Sequence, residues 1–388
     1  MTQLTRAAWL EIDLDKLVRN YHAIKEKMHP GVELMAIVKA DAYAHGSRHI
    51  AEALMAEGVR RFGVAHLSEA LYLKKYAPDA YVLILGYTPD HLLEKAIGGG
   101  MVLSVFTRQQ AAACSEIATR LGVTCTVHIK LETGMNRQGF MPTAENADAI
   151  AEISRMPGLA IDGLYTHFPA SDDDPAYTAN QLKLFDGMVD MLGARGVKIP
   201  IRHVSNSAAV MNFPEYGYDM VRAGIILYGV YPFPEADRSF IVLESIESLK
   251  AQITFLKTVP PGAKVGYGLS FEATRETQIA TVPIGYADGF SRSLNNIGQC
   301  IVQGTIVPII GKLCMDQLML DVTGLTPQVG DEVVFMGRQG GAEITIEDIA
   351  DKIGQIPASV MCSFTKRLPR VYMRGSKVSA VLDYLLEL

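Results

Sequence analysis

The residues Val38-Lys39-Ala40-Asp41-Ala42-Tyr43-Ala44-His45-Gly46 form the most informative stretch of this 388-residue chain. They follow Leu34-Met35-Ala36-Ile37, an apolar run of a length typical of a buried strand, and they precede a helical pattern over residues 47–57. A lysine at the end of a buried strand is costly unless it is neutralised, paired or used chemically. The stretch therefore predicts a strand, a lysine-bearing turn and a helix.

Lys39 and Tyr43 together suggest a cofactor. Tyr43 stands at the turn into the helix, where it can reach an anion bound at the helix N-terminus. A lysine beside an anion site is typical of a phosphorylated aldehyde cofactor held as a Schiff base. A structural ion pair would also account for a lysine at this position. The stretch alone does not decide between a cofactor-binding lysine and an ion-paired one.

Short apolar runs alternate with helical patterns as far as residue 222. The strand candidates are residues 34–38, 62–65, 82–85, 102–106, 125–129, 160–165, 203–205 and 220–222. Helical patterns between them include residues 47–57, 68–76, 108–121, 143–155 and 175–194, and another precedes them at 15–28 after a short leader. About eight βα units of this size predict an α/β fold, a (β/α)₈ TIM-type barrel. A doubly wound open sheet shows the same alternation, so the sequence pattern does not exclude that fold.

Strand-like alternation dominates from about Ile241. Predicted strands cover residues 250–257, 278–283, 300–307, 318–322 and 332–336, with one helix at about 346–352. We therefore predict two domains, a barrel over residues 1–240 and a mostly β C-terminal domain over residues 241–388.

Composition and charge exclude several classes of protein. The formal charge of −6 argues against a nucleic-acid partner. Five scattered cysteines without a C-x-x-C pair indicate reduced thiols, so neither a disulfide framework nor a metal site is expected. The chain begins without a signal-type apolar core, and no apolar run approaches the ~20 residues of a membrane span. We expect a cytoplasmic protein without a membrane partner.

Polar residues follow several of the predicted barrel strands. They are Lys39, Lys130, His167, Ser205 and Arg222. Each has a plain structural explanation: a core histidine for His167, a helix N-cap for Ser205 or an ion pair for Arg222. Because barrel active sites lie at the carboxyl ends of the strands, their common position predicts one site there.

Several motifs resemble those of alanine racemases, in order and over nearly the whole chain. The matching segments are residues 36–46, 130–139, 165–168, 206–209, 220–225, 266–268, 284–289 and 314–317. The resemblance implies a pyridoxal 5′-phosphate-dependent enzyme that racemises alanine and supplies D-alanine for peptidoglycan.

The resemblance also implies two catalytic bases. Lys39 would carry the cofactor and act on one face of the planar adduct, and Tyr267 would act on the other. Inversion at Cα requires proton removal from one face and return to the other, which suits two bases. His167, with Arg222 behind it, would favour the phenolate form of Tyr267.

Further cofactor contacts follow from the same resemblance. Arg222 would face the pyridine nitrogen, and His167 would lie against the cofactor. Since a guanidinium keeps its proton, the ring nitrogen would stay unprotonated, which speaks against a decarboxylase. Tyr43, Ser205 and the amides of Gly224 and Ile225 would hold the phosphate.

The implied substrate site includes Arg137 and Met315. Arg137 would clamp the carboxylate of a small amino acid, and a carbamylated Lys130 would orient that arginine. Tyr267, Cys314 and Met315 would come from a second copy, which implies a homodimer with composite active sites.

The sequence departs from the alanine racemase pattern at Ala358 with its flanking segment, residues 356–359, and at Asp41 and Ala44. Ala358 stands where those enzymes usually carry a tyrosine that reaches the phosphate, so the alternative of a serine or broad-spectrum racemase stays open. Asp41 and Ala44 replace the more usual Asn and Gly, which is a mild change. A decarboxylase of the same architecture and a non-catalytic cofactor carrier are the remaining alternatives.

Overall fold

The computed structural model describes residues 4–386, and the chain forms two compact units. The barrel unit comprises Leu17–Ala42 and Ser47–Glu244. The β unit comprises the residues up to Lys16, Tyr43–Gly46 and the residues from Ser245 onward. Its first strand is β1 (Ala8–Asp13), at the start of the chain. The predicted division between residues 240 and 241 stays a prediction.

Eight parallel strands make the sheet of the barrel unit. They are β2 (Glu33–Ile37), β3 (Arg61–Val64), β4 (Tyr81–Ile84), β5 (Val102–Val105), β6 (Cys125–Lys130), β7 (Leu159–Tyr165), β8 (Ile201–His203) and β9 (Met220–Ala223). Their order is β8-β7-β6-β5-β4-β3-β2-β9. All eight predicted strands are present, with ends shifted by at most two residues.

The sheet curls into a barrel. β9 pairs in parallel with β2, with Arg222 opposite Met35. On the other side of β9, Asp219 N donates to Arg202 O at 3.1 Å and Arg222 N donates to Ser205 O at 3.0 Å. These bonds join the last strand to β8, so the (β/α)₈ prediction is confirmed and the open doubly wound sheet is wrong.

Helices follow most of the barrel strands. The helices are Leu14–Lys27, Ser47–Ala56, Leu67–Tyr76, Asp90–Gly98, Arg108–Leu121, Ala144–Ile153, Pro175–Ala194 and Ser207–Asn212. Side chains cap several of them: Thr107 accepts from Gln110 N and Asp174 accepts from Tyr177 N. Over residues 4–386, no helix combines the length and apolar character needed to cross a membrane.

The β unit consists mainly of short strands. They are β10 (Glu247–Gln252), β11 (Phe255–Val259), β12 (Lys264–Val265), β13 (Phe271–Glu272), β14 (Thr277–Val282), β15 (Gln299–Val302), β16 (Thr305–Ile310), β17 (Leu318–Asp321), β18 (Glu332–Gln339), β19 (Ala342–Ile344), β20 (Arg370–Arg374) and β21 (Lys377–Leu382). Two helices, Ile346–Ile353 and Pro357–Ser363, interrupt them. The mostly β character is therefore confirmed.

Several details of the β unit differ from the prediction. The predicted leader contains β1, which lies between antiparallel β10 and parallel β20 and buries Trp9 and Leu10. The predicted strand at 300–307 is two strands, because Gln303 and Gly304 turn the chain with positive φ values of 51° and 75°. Among the described residues of this unit there are two α-helices, where one was predicted.

The neighbours of Gly46 in the β unit leave no room for a side chain at this position. Its φ is +89°, and an added Cβ would lie 2.0 Å from the hydroxyl oxygen of Tyr372. That hydroxyl donates to His45 O at 2.8 Å, so it cannot move without breaking a buried hydrogen bond.

We expect Gly46→Ala to lower the free energy of unfolding by at least about 2 kcal/mol more than Gly58→Ala does. Gly58 is the matched control, because its φ is +92° and an added Cβ would have no neighbour within 4 Å. Thermal unfolding of the two variants measures the difference. Equal losses of stability would show that the contact with Tyr372 is unimportant.

Candidate active site

Lys39 begins a left-handed turn two residues after β2 ends. The five residues Ala40–Ala44 have positive φ values from 53° to 67°, although none of them is glycine. Each such residue costs about 1 kcal/mol, so neighbouring groups must hold the turn. Glu69 does this in the barrel unit, accepting from Ala40 N and Ala65 N, both at 2.7 Å. The lysine side chain itself is exposed, whereas a buried strand end was expected.

The second half of this turn belongs to the β unit. There Arg370 Nε donates to Ala44 O at 2.9 Å, and Tyr372 donates to His45 O. Burial, and to a smaller extent the Cys362 thiol, raises the pKa of Tyr43 well above its ordinary value. Its phenol therefore stays protonated and can donate a hydrogen bond.

Asp41 takes part in the start of the following helix. Its carboxylate accepts from Ser47 N at 2.8 Å, and Ser47 is the first residue of helix Ser47–Ala56. One backbone N–H at this helix end is thus already satisfied within the chain. The aspartate at this position has a structural role.

The guanidinium of Arg222 is buried at the carboxyl ends of three strands. Nη1 donates to His203 O and His203 Nδ1, both at 3.0 Å. Nη2 donates to Thr166 O at 2.9 Å, Val204 O at 3.0 Å and His167 Nδ1 at 3.3 Å. Burial lowers the pKa of Arg222 to about 10, which leaves it protonated at neutral pH. Carbonyl oxygens and imidazole nitrogens therefore accept the hydrogen bonds of Arg222, where the sequence also allowed an ion pair.

His167 lies next to Arg222 in a positively charged surrounding. Burial lowers its pKa well below the ordinary value, and the charges of Arg222, Arg137, Lys130 and Lys39 lower it further. The imidazole is therefore neutral and accepts from Arg222 through Nδ1. These four cations are the predicted site residues that the barrel unit brings together.

Lys130 is a buried amine at the end of β6. Its side chain is 2% exposed, and Nζ donates to Leu131 O at 2.5 Å. Burial lowers the pKa of Lys130 to about 8; Glu132 opposes that shift, and Arg222 and Arg137 add to it. The amine is therefore mostly protonated at pH 7, and the neutral, nucleophilic fraction of about a tenth is far larger than for a lysine with the ordinary pKa.

Glu132 shapes the loop that carries Arg137. Its carboxylate accepts from Gly134 N at 2.8 Å and from Arg137 N at 3.0 Å. Burial alone would raise the pKa of Glu132, but backbone N–H groups of Asn136, Gly134 and Arg137 lower it overall. The loop thus presents the exposed Arg137 side chain from a fixed backbone.

The predicted phosphate-binding residues follow β8 and β9. Ser205 is buried and donates to Tyr216 O at 2.8 Å. The helix cap proposed for Ser205 is provided by Asn206, which accepts from Ala209 N at 3.0 Å. Gly224 N donates to Ser207 Oγ at 3.0 Å, directly before the 3₁₀ turn that starts at Ile225.

Tyr267 and Met315 lie in the β unit: Tyr267 begins a 3₁₀ turn after β12, and Met315 lies in the loop between β16 and β17. Val265 packs against Ile279 and Ile310, which fixes the chain just before Tyr267. The two side chains are 71% and 52% exposed, respectively. Such exposure of large apolar groups leaves a surface that another chain can cover.

Sequence reasoning did not identify four residues that are linked to Arg222 through the barrel interior: His203, His128, Tyr81 and Asp162. A signal was present, because His128 and Lys130 are two apart on one strand and so share a face.

The arrangement in the barrel unit is suited to anions and to proton transfer. Lys39, Lys130, Arg137 and Arg222 act electrostatically on one imidazole, so an anionic ligand is favoured there. An exposed lysine at the same end of the barrel can form a Schiff base or take a proton.

Comparisons with known proteins agree along the whole chain. The family model described as "Alanine racemase, N-terminal domain" matches residues 12–232, and "Alanine racemase, C-terminal domain" matches residues 246–372. Alanine racemase 1 of Clostridium acetobutylicum is 41% identical over 98% of this chain and 99% of that protein. The structure of alanine racemase from Clostridium difficile 630 has a TM-score of 0.95 and 37% identity, and covers 99% of this chain and 100% of that chain. A histidine racemase from Leuconostoc mesenteroides has a TM-score of 0.88 and 30% identity over 95% of this chain and 99% of that one.

The buried amine of Lys130 predicts a pH-dependent stability. Its folded pKa of about 8 lies below the ordinary 10.5, so the unfolded chain binds more protons between these values and stability rises with pH there. We expect Lys130→Met to be more stable than wild type by about 3 kcal/mol near pH 7, with the difference shrinking as pH rises towards 10.5.

Urea unfolding between neutral pH and pH 10 in buffer purged of carbon dioxide measures this difference, with the exposed Lys95→Met as the control. A Lys130→Met chain that is no more stable than wild type near neutral pH would contradict the expectation.

Proposed function

Because the chain belongs to the alanine racemase family, we propose that it interconverts L- and D-alanine with pyridoxal 5′-phosphate and the two bases Lys39 and Tyr267. The observation that carries this proposal is the group of four cationic side chains around His167, at the carboxyl ends of the barrel strands. The chain is an enzyme of the racemase class by its family; the cofactor, the bases and the substrate are proposed.

The charges of the barrel unit fit the phosphorylated cofactor. When bound, pyridoxal 5′-phosphate supplies an electron sink that makes the Cα proton of an attached amino acid removable. Lys39 would hold it covalently, while Tyr43, Ser205, Gly224 and Ile225 would bind the phosphate. The protonated Tyr43 and the backbone N–H groups are donors suited to phosphate oxygens.

Arg222 and His167 would set the electronic state of the cofactor ring. The guanidinium stays charged at neutral pH, so it would donate a hydrogen bond to the ring nitrogen and would not protonate it. The weaker electron sink favours simple proton exchange at Cα over loss of carbon dioxide. This supports a racemase over the alternative of a decarboxylase.

Lys39 and Tyr267 would exchange protons with Cα on opposite faces. One base removes the proton, and the other returns a proton to the opposite face. The high exposure of Tyr267 and Met315 supports a homodimer in which these residues complete the site of a second chain.

Arg137 would bind the substrate carboxylate, and Lys130 would be carbamylated to orient it. The buried amine, with a pKa of about 8, can attack carbon dioxide and release a proton, giving a carbamate. The new negative charge would replace repulsion between Lys130 and Arg137 by attraction. Bicarbonate should then stabilise wild type but not Lys130→Met in the unfolding measurement described above.

A broader substrate range is the second candidate. Ala358 lies at the start of helix Pro357–Ser363, where the sequence pattern of alanine racemases has a tyrosine. The similarity to a histidine racemase favours this candidate, because that fold accommodates a larger side chain. Serine and larger amino acids are therefore included as test substrates.

Supply of D-alanine for peptidoglycan and a cytoplasmic location belong to the main proposal.

We expect the cofactor-loaded chain to exchange the Cα proton of L-alanine for deuterium and to form both enantiomers equally. Proton NMR in D₂O with L-Ala, L-Ser, L-His and L-Lys, followed by chiral analysis, measures both. Tyr267→Phe should slow racemisation by at least about 10²-fold, because it removes one acid/base, whereas the control Tyr87→Phe should not. Preference for serine or histidine would establish the broader range. Absence of exchange with all four amino acids would refute the racemase proposal and favour the alternative of a non-catalytic cofactor carrier.

Composite sites predict complementation between two inactive variants. Lys39→Ala and Tyr267→Phe chains, unfolded and refolded together, should regain about a quarter of wild-type activity, because half the dimers are mixed and each has one intact site. Each variant refolded alone is the control. Failure of the mixture to exceed the two controls would place both bases in one chain.

A further inference from the structure

A row of hydrogen bonds, here called the barrel relay, crosses the interior of the barrel unit from Arg222 to Asp162. Arg222 Nη1 lies 3.0 Å from His203 Nδ1, and His203 Nε2 lies 2.8 Å from His128 Nδ1. His128 Nε2 lies 2.6 Å from the hydroxyl of Tyr81, which donates to Asp162 at 2.5 Å. Five side chains on five strands thus form one continuous path.

The two ends of the barrel relay fix the direction of every bond in it. A guanidinium only donates and a carboxylate only accepts. His203 Nδ1 must therefore accept from Arg222, so its proton is on Nε2 and is donated to His128 Nδ1. By the same reasoning His128 carries its proton on Nε2 and donates it to the oxygen of Tyr81. Both imidazoles are neutral, in one tautomer each.

Local packing holds both imidazoles in place. Tyr165 stacks on His203 with ring centroids 4.8 Å apart and an interplanar angle of 9°. Gly163 leaves room for His128, since an added Cβ would lie 2.3 Å from Nδ1 of that ring. Burial lowers the pKa of His128, and that of His203 well below its ordinary value, which agrees with two neutral rings.

The far end of the barrel relay lies at the opposite rim of the barrel. Tyr81 and Arg61 are the first residues of β4 and β3, and the Asp162 side chain is 28% exposed. The pairing of β6 with β7 shifts by one residue here, so that Asp162 is the extra residue of a β-bulge. Arg61 stacks on the Tyr81 ring at 4.3 Å and also pairs with Glu33.

Arg222 needs this path because its direct partners carry no negative charge. They are three carbonyl oxygens and two imidazole nitrogens. Aligned hydrogen bonds polarise one another, so the carboxylate at the far end strengthens the acceptor that Arg222 meets at the near end. Nearby donors from His128 and Tyr81 lower the pKa of Asp162 to about 2, which keeps it charged.

We propose that Tyr81, His128 and His203 are positioning residues, which hold the Arg222 guanidinium in one orientation by connecting it to Asp162 at the opposite rim. The role of Arg222 toward the cofactor ring rests on the proposed function. The barrel relay itself does not, because it consists of side chains of this chain alone.

The first measurement is the tautomer of each imidazole. Long-range ¹H–¹⁵N NMR correlations of the full chain labelled with ¹⁵N-histidine report which ring nitrogen carries the proton, and the loss of signals in His128→Gln and His203→Gln assigns them. We expect both rings to be neutral and protonated on Nε2 at neutral pH. A proton on Nδ1, or an imidazolium, at either residue would overturn the proposal. This result requires neither cofactor nor activity.

The second measurement compares Tyr81→Phe with Tyr218→Phe. Tyr218 is a matched control outside the barrel relay, because its hydroxyl donates to Asp186 at 2.5 Å and its ring lies 5.2 Å from the Arg202 guanidinium. We expect Tyr81→Phe to mix the tautomers of both histidines and to lower kcat about tenfold, with KM changed less than about twofold. Tyr218→Phe should leave tautomers and kinetics unchanged.

Two outcomes separate this proposal from its alternatives. A hydroxyl with only a structural role would lower stability in both variants and leave the tautomers unchanged, which would refute the proposal. If the chain racemises none of the tested amino acids, the tautomer measurements still decide, so failure of the proposed function is distinguishable from failure of the positioning role.

Discussion

The buried guanidinium of Arg222 is the group on which the rest of the barrel unit depends. It donates to carbonyl oxygens of Thr166, His203 and Val204, at the ends of β7 and β8, while its own strand pairs with β2. A buried charge without such partners would cost several kcal/mol. The side chain that closes the last seam of the barrel is therefore also the one at the centre of the proposed site.

The position of Lys39 depends on a strained turn and on the contacts that stabilise this turn. The left-handed turn from Ala40 to Ala44 is unfavourable by itself, and contacts on both sides stabilise it: Glu69 in the barrel unit and Arg370 in the β unit. Non-glycine residues in this region are typical of functional sites whose surroundings over-determine the backbone. The turn brings the lysine out of the buried strand into an exposed position, where an amine can react.

Prediction from sequence worked where the signal is local. The eight barrel strands are short apolar runs because both faces of a parallel sheet are buried, and the residues after them share a rim because parallel strands end at one edge. The strand Ala8–Asp13 was missed, since its partners include Ala251 and Arg370, far away in sequence. The role of Ser205 as a helix cap was misjudged because Asn206, one residue later, competes for the same position.

The sequence by itself determined the alternation of strands and helices in the first unit, the mostly β second unit and the residue types at the strand ends, because periodicity and motif spacing are properties of the chain. Only the tertiary structure decided that the sheet closes between β8 and β9, that His128 and His203 are hydrogen-bonded to each other, that Lys130 is a buried amine with a lowered pKa, and that Lys39 and Tyr267 are exposed. The physical reason is that proton positions, desolvation and exposure depend on neighbours from distant segments, and those neighbours meet only when the sheet closes.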